Sequence, residues 1–142
     1  MPTLTVPARL ENLEPTKAYI KASIPKAFAD QTPNVILVAE ELLVNVFSYA
    51  YPEGSEGEAS VTINLASEAD GDKLVFTVRD WGHPFNPFEE VPDPDLTLDV
   101  EGRPMGGLGI FLIKQVSEAQ FWEYQNGTNF IRIIFGKSPN AA

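Results

Sequence analysis

The segment from residue 32 to residue 50 restricts the fold of this chain most, because it is apolar around nearly its whole helical circumference. Its start, Thr32-Pro33, places a candidate N-cap before a proline suited to the first helical turn. A helix of this kind has to be buried on most sides. A polar line nevertheless runs along it at spacings of four and three, formed by Glu41, Asn45 and Ser48. Since a desolvated carboxylate without a partner is costly, either a ligand or a neighbouring loop should face this line.

Two antiparallel hairpins are predicted from alternating apolar residues that flank tight-turn dipeptides. Residues 59–66 and 73–79 flank Asp70-Gly71, and residues 119–125 and 128–135 flank Asn126-Gly127. Asp-Gly and Asn-Gly favour the two-residue turns of hairpins. The sheet should therefore be built largely from neighbours in sequence.

The remaining segments supply an edge strand, two further helices and a loop. Residues 3–6 alternate and are ended by Pro7, and Asn12 is a candidate N-cap for a helix that Pro25 kinks or ends. Residues 86–103 are rich in proline and acidic residues and predict a long loop, which a helix at about 108–117 follows. We expect a single α+β domain over residues 1–142, a two-layer α/β sandwich with helices on one face of a mixed, mostly antiparallel sheet.

The charge balance narrows the choice of partners. Twenty acidic residues against ten basic ones give a formal net charge of −10. Repulsion should keep nucleic acid and anionic membranes away, which leaves proteins or small molecules as partners. The chain has no cysteine, so disulfides and thiolate chemistry are excluded. We expect a cytoplasmic protein, because the N-terminus lacks the features of a signal peptide and no apolar run is long enough for a membrane span.

Two glycine-containing stretches are candidates for ligand contact. Gly106, Gly107 and Gly109 precede an apolar helix, where free backbone N–H groups and the helix dipole favour phosphate. The alternative is a tight turn before an ordinary core helix. Asp80 leaves a strand end two residues before Gly82, a position suited either to a hydrogen-bond acceptor in a pocket or to an Asx turn.

These signals occur in a fixed order along the chain. They are Glu41-x-x-x-Asn45, Asp80-x-Gly82-x-Pro84-Phe85 and Gly106-Gly107-Leu108-Gly109, followed by Thr128 after the second turn. The ordered set resembles the GHKL ATPase superfamily over roughly residues 3 to 136, and that resemblance implies a Bergerat-type ATP-binding fold. Residues 7–13, 40–52 and 106–113 are most similar to the stand-alone serine/threonine kinases of the bacterial anti-sigma-factor type.

The resemblance implies a role for each residue of the first two motifs. Asn45 would bind Mg²⁺ through its side-chain oxygen, and the ion would bridge the phosphates of ATP. Glu41, one helical turn earlier, would be the catalytic base that accepts the proton of the attacking hydroxyl. Asp80 would accept the adenine amino group, Gly82 would leave room for the ring, and Thr128 would complete the adenine contacts.

The resemblance also implies a lid over the phosphates. Gly106, Gly107, Leu108 and Gly109 would close on them through backbone amides, and Arg103 is a candidate for a γ-phosphate contact or else a solvated loop cation. Ser48 and Tyr49 depart from the family pattern, where many relatives carry a basic residue and a histidine. His83, the only histidine, is interpreted as part of the loop structure.

The expected function is therefore that of a Mg-ATP-dependent kinase that phosphorylates a STAS-type anti-anti-sigma protein and so controls a sigma factor, and relatives suggest a homodimer. The alternative is a binding module that holds ATP or sequesters a sigma factor without phosphate transfer. The catalytic part of a sensor histidine kinase is disfavoured, because 142 residues leave no room for a phospho-accepting helical hairpin.

Overall fold

The computed structural model describes residues 3–53, 55–90 and 107–137, which form a helical layer on a five-stranded sheet. The helices are α1 (Leu13–Ser23), α2 (Thr32–Tyr49), α3 (Pro87–Glu90) and α4 (Gly107–Val116), with 3₁₀ turns at Leu10–Asn12 and Lys26–Gln31. The strands are β1 (Thr3–Pro7), β2 (Glu58–Glu68), β3 (Gly71–Asp80), β4 (Ala119–Gln125) and β5 (Thr128–Phe135).

The strand order is β1-β2-β3-β5-β4, and all four pairings are antiparallel. The predicted α+β sandwich is confirmed, but the sheet of the described residues is purely antiparallel rather than mixed. Both predicted hairpins form. Asn126 and Gly127 have φ of 53° and 76°, as a type I′ turn requires.

The core lies between the sheet and the helices. Alternate residues of β3, namely Leu74, Phe76 and Val78, are at most 1% exposed and face the helical layer. They form one buried cluster with residues of β5, α2 and α4. This packing places the C-terminal half of α2 beside the ends of β3 and β5, which is where the polar residues collect.

Two helix boundaries differ from the sequence-based prediction, and one predicted N-cap residue is in place without a capping bond. Gln31, not Thr32, occupies the N-cap position of α2, since the 3₁₀ turn before it already sets Thr32 in helical geometry. Asn12 stands at the N-cap of α1, but its side chain donates to Pro7 O (2.8 Å) instead of capping the helix. The predicted loop at 86–103 begins with the short helix α3, because Asn86 Oδ1 accepts a hydrogen bond from Phe88 N–H (3.0 Å).

Residues 91–106 and 138–142 lie outside the described part of the chain, and with them most of the predicted long loop. Among the described helices, none has both the length and the hydropathy needed to cross a bilayer.

Candidate functional site

A cavity of about 360 Å³ opens between the C-terminal half of α2, the ends of β3 and β5, and the segment that follows β3. This size lies within the range of small-molecule sites. Its walls are mostly apolar, with a few polar side chains. The lining residues are Leu42, Asn45, Val46, Tyr49, Ala50, Asp80, His83, Phe85, Pro87, Asn129 and Ile131. Asn45 and Asp80, predicted from separate motifs, thus lie on the walls of one cavity.

Asp80 presents one carboxylate oxygen to the protein and leaves the other without a partner. The residue is 5% exposed. Its Oδ1 accepts hydrogen bonds from Gly82 N–H (2.9 Å) and from Asn129 Nδ2 (3.0 Å). Within the described residues, Oδ2 has no hydrogen-bond partner. The Asx turn and the pocket acceptor, which the sequence left as alternatives, are therefore both present and use different oxygens.

Asn129 is a site residue that the sequence-based prediction did not include. It stands directly opposite Asp80 in the pairing of β3 with β5 and is 3% exposed. Its Nδ2 donates to Asp80 Oδ1 and to His83 O (2.9 Å), and its Oδ1 accepts from Phe85 N–H (3.1 Å) and Trp122 Nε1–H (2.9 Å). The register of the β4–β5 hairpin was predictable from its turn. No turn joins β3 to β5, so the pairing that places Asn129 beside Asp80 was not predictable in the same way.

Asn45 is one of the polar residues of α2 that line the cavity. It is half-buried, and its side chain makes no hydrogen bond within the described part of the chain. The polar line that was predicted to end at Ser48 instead continues to Tyr49, one turn beyond Asn45, while Ser48 is exposed and does not line the cavity. An unpaired amide oxygen beside a cavity is a suitable ligand for a hard cation that also binds phosphates and water.

Glu41 lies one turn before Asn45 and is half-buried rather than buried. Desolvation by burial raises the pKa of its carboxyl group, and the nearby charge of Glu40 raises it further. Its carboxylate does not line the cavity but lies against Gly109 in the first turn of α4. A Cβ atom at Gly109 would collide with Glu41 Oε2. The absence of a side chain at Gly109 therefore lets the Glu41 carboxylate lie directly against the first turn of α4.

A similar close approach occurs at Gly82, on the other side of the cavity. A Cβ atom there would collide with the backbone oxygen of Ala50 at the end of α2. The absence of a side chain lets the segment after β3 pass under the helix end, so that His83 and Phe85 reach the cavity wall.

The remaining predicted residues are placed as follows. Thr128 is fully buried, and its hydroxyl donates to Gln125 O (2.7 Å) within the hairpin. Thr128 does not line the cavity. Its adenine contact stays a prediction. Gly107 and Leu108 begin α4. Arg103 and Gly106 lie outside the described residues.

Across residues 3–53, 55–90 and 107–137, no group of three or more His, Asp or Glu side chains could hold a metal ion by itself. Magnesium commonly binds to few protein ligands beside phosphate groups.

The family model of the histidine kinase-like ATPase domain matches residues 6–135, which is most of the chain. The match includes every element from the end of β1 to β5. A comparison with curated proteins found no match.

Proposed function

The chain belongs to the family of histidine kinase-like ATPase domains, and from that premise we propose that it is an ATP-dependent serine/threonine protein kinase. Its substrate in this proposal is a STAS-type anti-anti-sigma protein, whose phosphorylation controls a sigma factor. The observation that carries the proposal is that Asn45 and Asp80 line one cavity.

The adenine end of the proposed site is the Asp80 side. Asp80 Oδ2 can accept a hydrogen bond from the exocyclic amino group of adenine, and guanine presents a carbonyl oxygen at that position, which a carboxylate repels. The apolar walls, including Phe85 and Ile131, suit a purine ring. Gly82 would keep the approach to Asp80 open.

The phosphate end lies toward Asn45 and the start of α4. When Mg²⁺ is bound, it neutralises charge on the phosphates and orients them for in-line transfer. Asn45 Oδ1 would hold the ion, and the first N–H groups of α4, which have no intrahelical partner, would contact the phosphates. The lid residues Gly106 and Arg103 belong to this part of the proposal.

Glu41 would act as the base of the transfer step. The hydroxyl oxygen of the partner's serine attacks the γ-phosphorus while the bond to the β–γ bridging oxygen breaks, and ADP leaves. The hydroxyl proton passes to the Glu41 carboxylate. Its raised pKa favours that step, because a more basic carboxylate accepts a proton more readily.

The second candidate is a module that binds ATP or a sigma factor without transferring phosphate. The observation that favours it is the position of Glu41, which contacts Gly109 and does not line the cavity. For Glu41 to act as the base of a transfer reaction, its side chain would have to rearrange toward the cavity.

Calorimetry on the natural chain, Asn45→Ala and Asp80→Ala tests the site. We expect Asn45→Ala to lose the Mg²⁺-dependent part of ATP affinity and Asp80→Ala to lose the preference for ATP over GTP, each by about tenfold or more. Asn64→Ala, on β2 and directed away from the cavity, is the matched control. Unchanged binding in both site variants would contradict the assignment.

Incubation with γ-labelled ATP, Mg²⁺ and candidate STAS domains then separates the two functions. Label on a serine or threonine of the partner supports the kinase. A chain that binds Mg-ATP but labels no partner would support the binding module.

A further inference from the structure

Asn129 makes four hydrogen bonds, which is the full capacity of a carboxamide: two N–H donors and two acceptor lone pairs. Its two acceptor partners, Asp80 Oδ1 and His83 O, carry no hydrogen, and its two donor partners, Phe85 N–H and Trp122 Nε1–H, are donors only. This pattern fixes the orientation of the amide. It also excludes aspartate, which would place a carboxylate oxygen against two acceptors.

The bonds of Asn129 connect three separate parts of the cavity wall. One bond holds the carboxylate at the end of β3, two hold the backbone of His83 and Phe85, and one ties the group to β4 through Trp122. Asn129 itself is 3% exposed. A side chain this enclosed and this fully bonded has little freedom to rotate.

The consequence for Asp80 is a fixed orientation of its carboxylate plane. One oxygen, Oδ1, accepts two N–H groups, one from Gly82 and one from Asn129. A half-turn only exchanges the two equivalent oxygens, but any other rotation would break both bonds in a buried environment, where an unmade hydrogen bond to a charged group is costly. The second carboxylate oxygen is therefore held in one place, where it is available to a ligand.

We propose that Asn129 is a positioning residue for base recognition: it fixes the orientation of the Asp80 carboxylate toward the purine and holds the backbone of His83 and Phe85 in the cavity wall. This inference rests on the proposed function, since it assumes that the purine of ATP occupies this cavity. It goes beyond that function by assigning base selectivity to a residue that need not contact the nucleotide.

The test is the Asn129→Asp variant, with the affinities of Mg-ATP and Mg-GTP measured at about pH 8 and about pH 6. Two carboxylates about 3 Å apart cannot both ionise without strong repulsion, so one takes up a proton as the pH falls. A protonated carboxyl group can donate to Asp80 Oδ1 again. We expect ATP affinity about tenfold or more below that of the natural chain at pH 8, a reduced ATP preference, and partial recovery of both at pH 6.

The matched control is Asn64→Asp, which adds the same charge on β2, directed away from the cavity. The titratable groups that face position 129 are Asp80, His83 and, from the neighbouring strand, Tyr124. All three are also present in Asn64→Asp, so a pH effect that does not depend on position 129 would appear in that variant as well. The Asn64→Asp variant should match the natural chain at both pH values.

Trp122→Phe keeps an aromatic ring on β4 and removes one of the four hydrogen bonds of Asn129. This second variant tests the proposal if Asn129→Asp does not fold. We expect its ATP affinity to fall severalfold while its GTP affinity stays unchanged. Equal loss of both nucleotides, unchanged ATP preference in both variants, or a loss in Asn129→Asp that does not recover at pH 6 would overturn the positioning role. A natural chain that binds neither nucleotide would instead refute the proposed function.

Discussion

At the scale of single residues, the Glu41 carboxylate is expected to lower the stability of the folded state, and it is also the proposed base. Its folded-state pKa lies above the ordinary glutamate value because of burial and the charge of Glu40. Between those two pKa values the native state binds more protons than the unfolded state, so stability falls as the pH rises through that window. Above that window the ionised, desolvated carboxylate lowers the stability of the folded chain.

Glu41→Gln should therefore be more stable than the natural chain at pH 7, and the difference should vanish at about pH 3, below the ordinary glutamate pKa, where the natural carboxyl is protonated in both states. Phosphate transfer should fall about 10²–10⁴-fold while ATP affinity is kept. Thermal denaturation at several pH values and labelled transfer measure the two effects. Glu14→Gln, which removes an exposed partner of Lys17 (3.2 Å), is the control and should keep transfer.

If Glu41→Gln transferred phosphate at the natural rate, Glu41 would not be the base. A fall in stability at pH 7 would contradict the sign of the raised pKa. The two readouts are independent, so each part of the interpretation can fail alone.

At the scale of elements, the approach of α4 to α2 depends on one missing side chain. Gly109→Ala adds a methyl group where Glu41 Oε2 lies, so we expect loss of stability in the natural background. In a Glu41→Ala background the carboxylate is gone, and the same substitution should stabilise by up to about 1 kcal/mol, since alanine favours a helix over glycine. Urea unfolding of the four proteins of this cycle measures the coupling.

Glu41→Gln keeps the side-chain length and should retain the destabilisation by Gly109→Ala. If Gly109→Ala were equally tolerated in every background, the first turn of α4 would not be packed against α2 as described. The cycle thus tests steric contact separately from charge.

The helices and strands were predictable from sequence where neighbouring residues specify them. Asn126-Gly127 forms the turn of its hairpin, as its backbone preference predicts. The first hairpin also forms, but it turns at Ala69-Asp70, and Gly71 already pairs with Glu68. The contacts of Gly109 with Glu41 and of Asn129 with Asp80 join residues 68 and 49 positions apart. They arise from helix packing and from the β3–β5 pairing, which the period of a sequence does not specify.

At the scale of the whole molecule, the family and the convergence of Asn45 and Asp80 on one cavity were predicted from the order of motifs, while the hydrogen bonds around that cavity were not. Glu41, Asn45 and Asp80 each have a recognisable sequence context. Asn129, His83 and Phe85 acquire their positions only when β5 pairs with β3 and the following segment folds back over the strand ends. When the role of a residue depends on its partners in the fold, the neighbouring sequence does not identify that role.

The net charge of −10 predicts how salt affects nucleotide binding. Metal-free ATP carries more negative charge than Mg-ATP, and the field of the protein repels both until salt screens it. Raising the ionic strength from about 20 to about 200 mM should therefore increase the affinity for metal-free ATP severalfold, increase that for Mg-ATP less, and leave that for uncharged adenosine unchanged. Calorimetry with the three ligands checks the order. An affinity for ATP that falls with salt would show instead that local cations near the phosphates outweigh the field of the molecule, and it would direct mutagenesis to Arg103 first.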